Sequence, residues 1–164
     1  MSYPTSAISV LREPMSTFGA EIPRDQIVII KKGASKHEAL DALIGCVSRN
    51  PAITDCEAFS QAVYAREAVQ STGIGGGIAI PHVRIPEVTS PTLGVGIAPE
   101  GLDFGTLDNQ PVYVLVIFAT PEGADKEYLS LLAQVMLALR DQDLFDRLLA
   151  CKTPDEAHAI LAGG

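Results

Sequence analysis

The spacing of apolar positions divides the chain beyond residue 22 into short elements. Residues 27–30 read IVII, a β-rich apolar run. Ala39, Leu40, Leu43, Ile44 and Val47 then recur three and four apart. This spacing predicts a helix capped by Ser35 and running to about Arg49, where Asn50 and Pro51 stop it. Thr54-Asp55-Cys56-Glu57 reads as a capping box in which Glu57 reaches back to the Thr54 amide. The next helix runs to about Val69, with Phe59, Ala62, Val63 and Ala65 facing inward, and Ser71, Thr72 and Gly73 end it.

Strand patterns come next. IAI (78–80) and LGVGIA (93–98) are bounded like strands, residues 99–111 are turn-rich, and VYVLVIFA (112–119) is continuously apolar. A run of that kind marks a central strand covered on both faces. Asp125 to Leu139 predicts an apolar helix with Leu129, Leu132, Ala133, Met136 and Leu139 on its inner stripe. Short helices are predicted at 143–151 and 155–162, the second announced by Thr153 and Pro154. Helices and strands alternating in this way predict an α/β domain of three layers, helix–sheet–helix. Not every connection holds a helix, so the central sheet is expected to be mixed. Residues 1–22 read as a loosely attached arm and 23–164 as one domain.

Composition narrows the function classes. Among 164 residues, 47% are hydrophobic and 20% charged, ordinary for a globular chain. No apolar run approaches the ~20 residues of a membrane-spanning helix. The first residues lack the basic start and unbroken apolar core of a secretory signal, so a cytoplasmic location and no membrane insertion are expected. A net charge of −8 without a basic stripe argues against nucleic-acid binding. The three cysteines, Cys46, Cys56 and Cys151, form no C-x-x-C and read as reduced, mostly packed thiols.

The candidate chemistry lies in QSTGIGGGIAIPHVR (70–84), which holds one of only three histidines. A phosphate loop of the Walker type needs a lysine and a hydroxyl after its glycines, and Ile78 and Ala79 stand there instead. A dinucleotide fingerprint comes after a strand and opens a helix. These glycines come after a helix and open a strand. His82 has no ligand-spaced partner for a metal. A lone histidine can be purely structural, and glycines can be mere turn residues. Three features favour a functional reading. Pro81 has a fixed φ and rigidly positions His82 after it. Glycine amides can converge on an anion, and Arg66 on the preceding helix can bring a guanidinium to the same place. A rigid imidazole, an amide nest and an arginine suit a phosphoryl acceptor.

The stretches AREAVQSTGIGGGIAIPHVR, LDFGTLDNQPVYVLVIFATP and ADKEYLSLLAQVMLALRDQDLFDRLLACKTPDEA, over about residues 24–161, resemble the enzyme IIA domains of the bacterial phosphotransferase system. The resemblance is to the fructose/mannitol superfamily with its nitrogen-regulatory branch. It implies that His82 takes phosphate from a histidine-containing phosphocarrier protein, with Arg66 beside it. It also implies that Gly73, Gly75, Gly77 and Ile80 shape the pocket and that no cofactor is needed. The implied acceptor is a cysteine of a IIB domain, or, in the regulatory branch, phosphorylation tunes binding to another protein. The family commonly places a second histidine at the start of the late helix. Tyr128 stands there, which raises the alternative of a binding module with weakened or lost phosphoryl transfer. A phenol can donate a hydrogen bond to a phosphoryl oxygen or to imidazole, but it does not titrate near neutrality.

Other candidates carry less. His37 reads as a solvated residue and His158 as a packed or surface one. Arg84 either guides a phosphorylated partner or is a surface residue before a turn, and Asp108 organises the turn ahead of Pro111.

Overall fold

The computed structural model describes residues 22–163. The arm assigned to 1–22 therefore lies outside the described residues except for Ile22, which is buried. Six strands form one mixed sheet: β1 (Ile27–Ile29), β2 (Gly73–Gly75), β3 (Ile78–Ala79), β4 (His82–Arg84), β5 (Thr92–Leu102) and β6 (Val112–Thr120). Its order is β1-β5-β6-β3-β2, with β4 also paired to β6. β6 runs antiparallel to β5 and parallel to β3 and β4.

Five helices cover the two faces: α1 (Lys36–Val47), α2 (Cys56–Val69), α3 (Asp125–Arg140), α4 (Gln142–Leu149) and α5 (Pro154–Leu161). Side chains on a strand alternate between faces, so β6 serves two cores. Leu115, Ile117 and Ala119 pack with α1 and α2, while Val114, Val116 and Phe118 pack with α3, α4 and α5. The expected three-layer α/β architecture is the one observed, and β6 is the two-sided central strand that its apolar run predicts. β5 extends through Leu102, past a register shift, into a segment whose glycine and proline read as turn.

Helix ends obey local chemistry. Ser35 caps α1 in a reciprocal box, its hydroxyl accepting from the Glu38 amide and the Glu38 carboxylate accepting from the Ser35 amide. The box expected at Thr54 is not formed. Asp55 caps α2 by accepting from the Ala58 amide at 3.0 Å. Thr54 instead gives both its amide and its hydroxyl to the Glu87 carbonyl, which fixes it ahead of the helix.

Two inner stripes also differ from expectation. On α2, Ala65 is exposed and the buried line runs Phe59, Val63, Glu67, a spacing of four that takes in a charged residue. On α3, Leu129 is 59% exposed and Ala133 is also exposed. The packed face uses Leu131, Leu132, Val135, Ala138 and Leu139 with Tyr128. That helix is apolar around most of its circumference, so spacing alone does not set its rotation.

The layers approach closely at Gly94 of β5, where an added Cβ would collide with Val47 and crowd Ile117 and Leu43. Gly94→Ala is therefore expected to destabilise the domain by about 1–3 kcal/mol through overpacking. Urea unfolding monitored by circular dichroism measures this.

Candidate functional site

β3 and β4 are two parts of one segment that pairs along β6, with β2 on the far side of β3. Ile78 and Ala79 pair with Val114 and Leu115, and His82 and Val83 pair with Phe118 and Ala119, at the same offset. Pro81 interrupts the donors because it has no amide hydrogen, yet its carbonyl accepts from the Phe118 amide at 2.8 Å. Register is thus kept across the break. Alternation then places Ile78, Ile80, His82 and Arg84 on the α3 face, and Ala79 and Val83 on the other.

His82 is half-buried on that face. Its ring stacks on the Tyr128 ring, with centroids 3.8 Å apart and planes 3° from parallel. Phe118 meets both rings edge-on, at 6.4 Å from His82 and 5.5 Å from Tyr128. His82 Nε2 lies 3.0 Å from the hydroxyl of Thr120, which is buried at the end of β6. Burial first, then the Arg84 and Arg66 guanidinium groups, push the imidazole down to about 4, against a smaller upward pull from Asp125. Arg84 is itself ion-paired with Asp125 at the start of α3.

A hollow of about 510 Å³ adjoins this constellation, with Arg66, Gln70, Thr72, Gly73, Ile80 and Tyr128 in its lining. Arg66 is held at its mouth by donating to the Gln70 carbonyl at 3.0 Å. The structure therefore gathers Arg66, Gly73, Ile80, Pro81, His82 and Tyr128 in one region. Gly75 and Gly77 lie apart, at the end of β2 and in the turn leading to β3, where φ values of 90° and 81° require glycine. Gly77 faces a second hollow beside Tyr113 and Phe145. The expected amide nest takes another form: the Thr72 amide bonds Glu67, that of Gly73 bonds the Ser71 hydroxyl, and that of Ile80 bonds the Thr72 carbonyl.

Tyr128 meets His82 through its ring face, not through its hydroxyl. Asp108 accepts from the Thr106 hydroxyl and the Gln110 amide, organising its turn. His37 is exposed and pairs with Asp41, and His158 is half-buried on α5.

Sequence reasoning missed Thr120, Phe118, Asp125 and Glu67. Thr120 did carry a signal: its hydroxyl closes a long apolar strand, at the carboxyl end where α/β sheets place ligands. Among the described residues, no group of three or more His, Cys, Asp or Glu is arranged to hold a metal. No helix among them is long and apolar enough to cross a membrane.

Fold and site together define a three-layer α/β domain organised around one stacked, uncharged imidazole with two arginines near it. The family described as phosphoenolpyruvate-dependent sugar phosphotransferase system, EIIA 2, matches residues 22–163, and the chain belongs to that family. A nitrogen regulatory protein of Pseudomonas aeruginosa is 36% identical over 129 residues, 79% of this chain and 84% of that one. The fructose-specific EIIABC component of Bacillus subtilis is 31% identical over 120 residues, 73% of this chain but 19% of that relative's length. The crystal structure of nitrogen regulatory protein IIA-Ntr from Neisseria meningitidis matches with a TM-score of 0.76 at 27% identity, covering 87% of this chain and 97% of that one.

The lowered His82 value sets a sign for pH dependence. The unfolded chain takes its proton near 6.5 and the folded chain near 4, so stability is whole above 6.5 and falls as pH drops between them. Nuclear magnetic resonance of labelled histidine should show the His82 ring uncharged from pH 8 down to roughly pH 5. A midpoint at or above 6.5 would contradict this burial and this pair of guanidinium groups.

Proposed function

We propose that this domain is a phosphocarrier that accepts a phosphoryl group on His82 from a histidine-containing phosphocarrier protein. The observation that carries this reading is an imidazole kept neutral and fixed beside Arg66 and Arg84. A neutral ring offers one nitrogen lone pair to phosphorus, whereas an imidazolium offers none. A new N–P bond forms at His82 as the donor's N–P bond breaks, and the donor imidazole keeps the electron pair. The guanidinium groups supply positive charge toward the phosphoryl oxygens, and the stacked ring restricts the angle of attack. Positioning and electrostatics thus do most of the work.

The exposed apolar side chains Val69 and Ile74, and Leu129 next to Tyr128, flank the same region. They offer apolar surface to a docking protein on a chain whose net charge is −8. The onward partner is a IIB domain or a regulated protein, and the setting is cytoplasmic.

Incubation with phosphoenolpyruvate, enzyme I and the phosphocarrier protein should add one acid-labile phosphate, read by intact mass. His82→Ala should abolish that gain. No gain in the wild type, or a gain that survives in His82→Ala, would refute the proposal.

Tyr128 favours a second reading, a regulatory binding module with weakened transfer. The residue stacked on His82 is a phenol that brings no cationic charge to the transfer. On that reading Tyr128→His speeds phosphorylation by about tenfold or more. An unchanged or lower rate in a stopped-flow or quench assay counts against it.

A further inference from the structure

The buried line of α2 contains an anomaly. Phe59 and Val63 are succeeded at the same spacing by Glu67, whose side chain is only 5% exposed. Burying a carboxylate is costly, and apolar replacements of buried ion pairs are often neutral or stabilising. Stability alone is a poor reason for a charge at this core position.

Its contacts point to another role. Glu67 Oε1 accepts from the Thr72 amide at 3.0 Å, and Oε2 accepts from the Thr72 hydroxyl at 2.7 Å. Lys36 of α1 holds the same carboxylate at 2.8 Å and lies 4.4 Å above the Phe104 ring. Thr72 passes the constraint on, because its carbonyl accepts from the Ile80 amide at 3.0 Å. Pro81 has no amide to give. The Ile80 amide is therefore the last amide donor of this segment before His82. The neighbouring Arg66 holds the same turn through the Gln70 carbonyl.

We propose that Glu67 is a positioning residue for the His82 site: through Thr72 and Ile80 it fixes the wall of the hollow and the height of His82 against Tyr128. Lys36 holds the carboxylate in place from α1. The inference rests on the reading of His82 as phosphoryl acceptor for its kinetic consequence, though not for its structural one.

The test uses the full chain and the variants Glu67→Gln, Thr72→Val and Thr72→Ser, each checked for folding by circular dichroism. Phosphoryl transfer from the phosphorylated carrier is measured against carrier concentration. Glu67→Gln and Thr72→Val should lower the maximal rate about tenfold, with half-saturation within about twofold of wild type. Thr72→Ser, which keeps the hydroxyl, should restore the rate. A brace remote from the site would leave all three at the wild-type rate.

The second readout needs no phosphate. The charged and titratable groups facing His82 are Arg66 from α2, Arg84 from its own strand, and Asp125 and Tyr128 from α3. A loosened wall lets water reach the ring, so its midpoint should rise from about 4 toward 6.5 in Glu67→Gln and Thr72→Val but not in Thr72→Ser. Removing a negative charge would by itself move it down, so a rise is not a charge effect. Should Glu67→Gln fail to fold, Thr72→Val decides. Wild-type rates and midpoints in the folded variants overturn the proposal. If wild type takes no phosphate, the carrier reading fails and the midpoint alone decides on Glu67.

Discussion

The pairing of β6 with segment 78–84 in one register is the constraint on which the site depends. Strand side chains alternate with a period of two, so a slip of one residue would carry His82 to the α1–α2 face and bring Val83 to Tyr128. Apolar content on both faces does not prevent such a slip by itself. The Phe118 amide bonding to the Pro81 carbonyl does, together with the Tyr113 and Val114 amides that bond to the Gly77 carbonyl at the other end. The glycines and the proline thus serve the histidine by holding register at both ends of a short segment.

With register fixed, the energetics of the imidazole are set by its neighbours. His82 gives up part of its hydration to stack on Tyr128 and lie beside Phe118, and two guanidinium groups oppose its protonation. Among the described residues, Asp125 is the acidic group that favours the charged form, and it is engaged by Arg84. One residue thereby tempers another, and the neutral ring is the state that the fold selects.

Much of this was legible in the chain. The apolar run 112–119 identified the central strand, the spacing from Ala39 to Val47 identified α1, and STGIGGGIAIPH marked the site. The illegible remainder depends on three-dimensional partners. Thr54 and Asp55 are both good caps, and only the Glu87 carbonyl decides between them. Helix α3 is apolar on several faces, so the sheet and not the spacing chooses Val135 and Ala138 over Leu129 and Ala133. Gly75 and Gly77 share a motif with Gly73, but their positive φ sends the chain through a turn away from the hollow. Glu67 carries no mark in the sequence because its partners are Thr72 and, on a different helix, Lys36.

The bond from His82 to Thr120 has one more consequence. A hydroxyl can give or receive a hydrogen bond by rotating a single hydrogen, with no heavy atom displaced. A carbonyl or an ammonium at that position would impose one arrangement of the ring's proton. Thr120 imposes none, so the imidazole can exchange which nitrogen bears hydrogen while its plane stays against Tyr128. The contact is a hinge for a proton that needs no movement of a heavy atom.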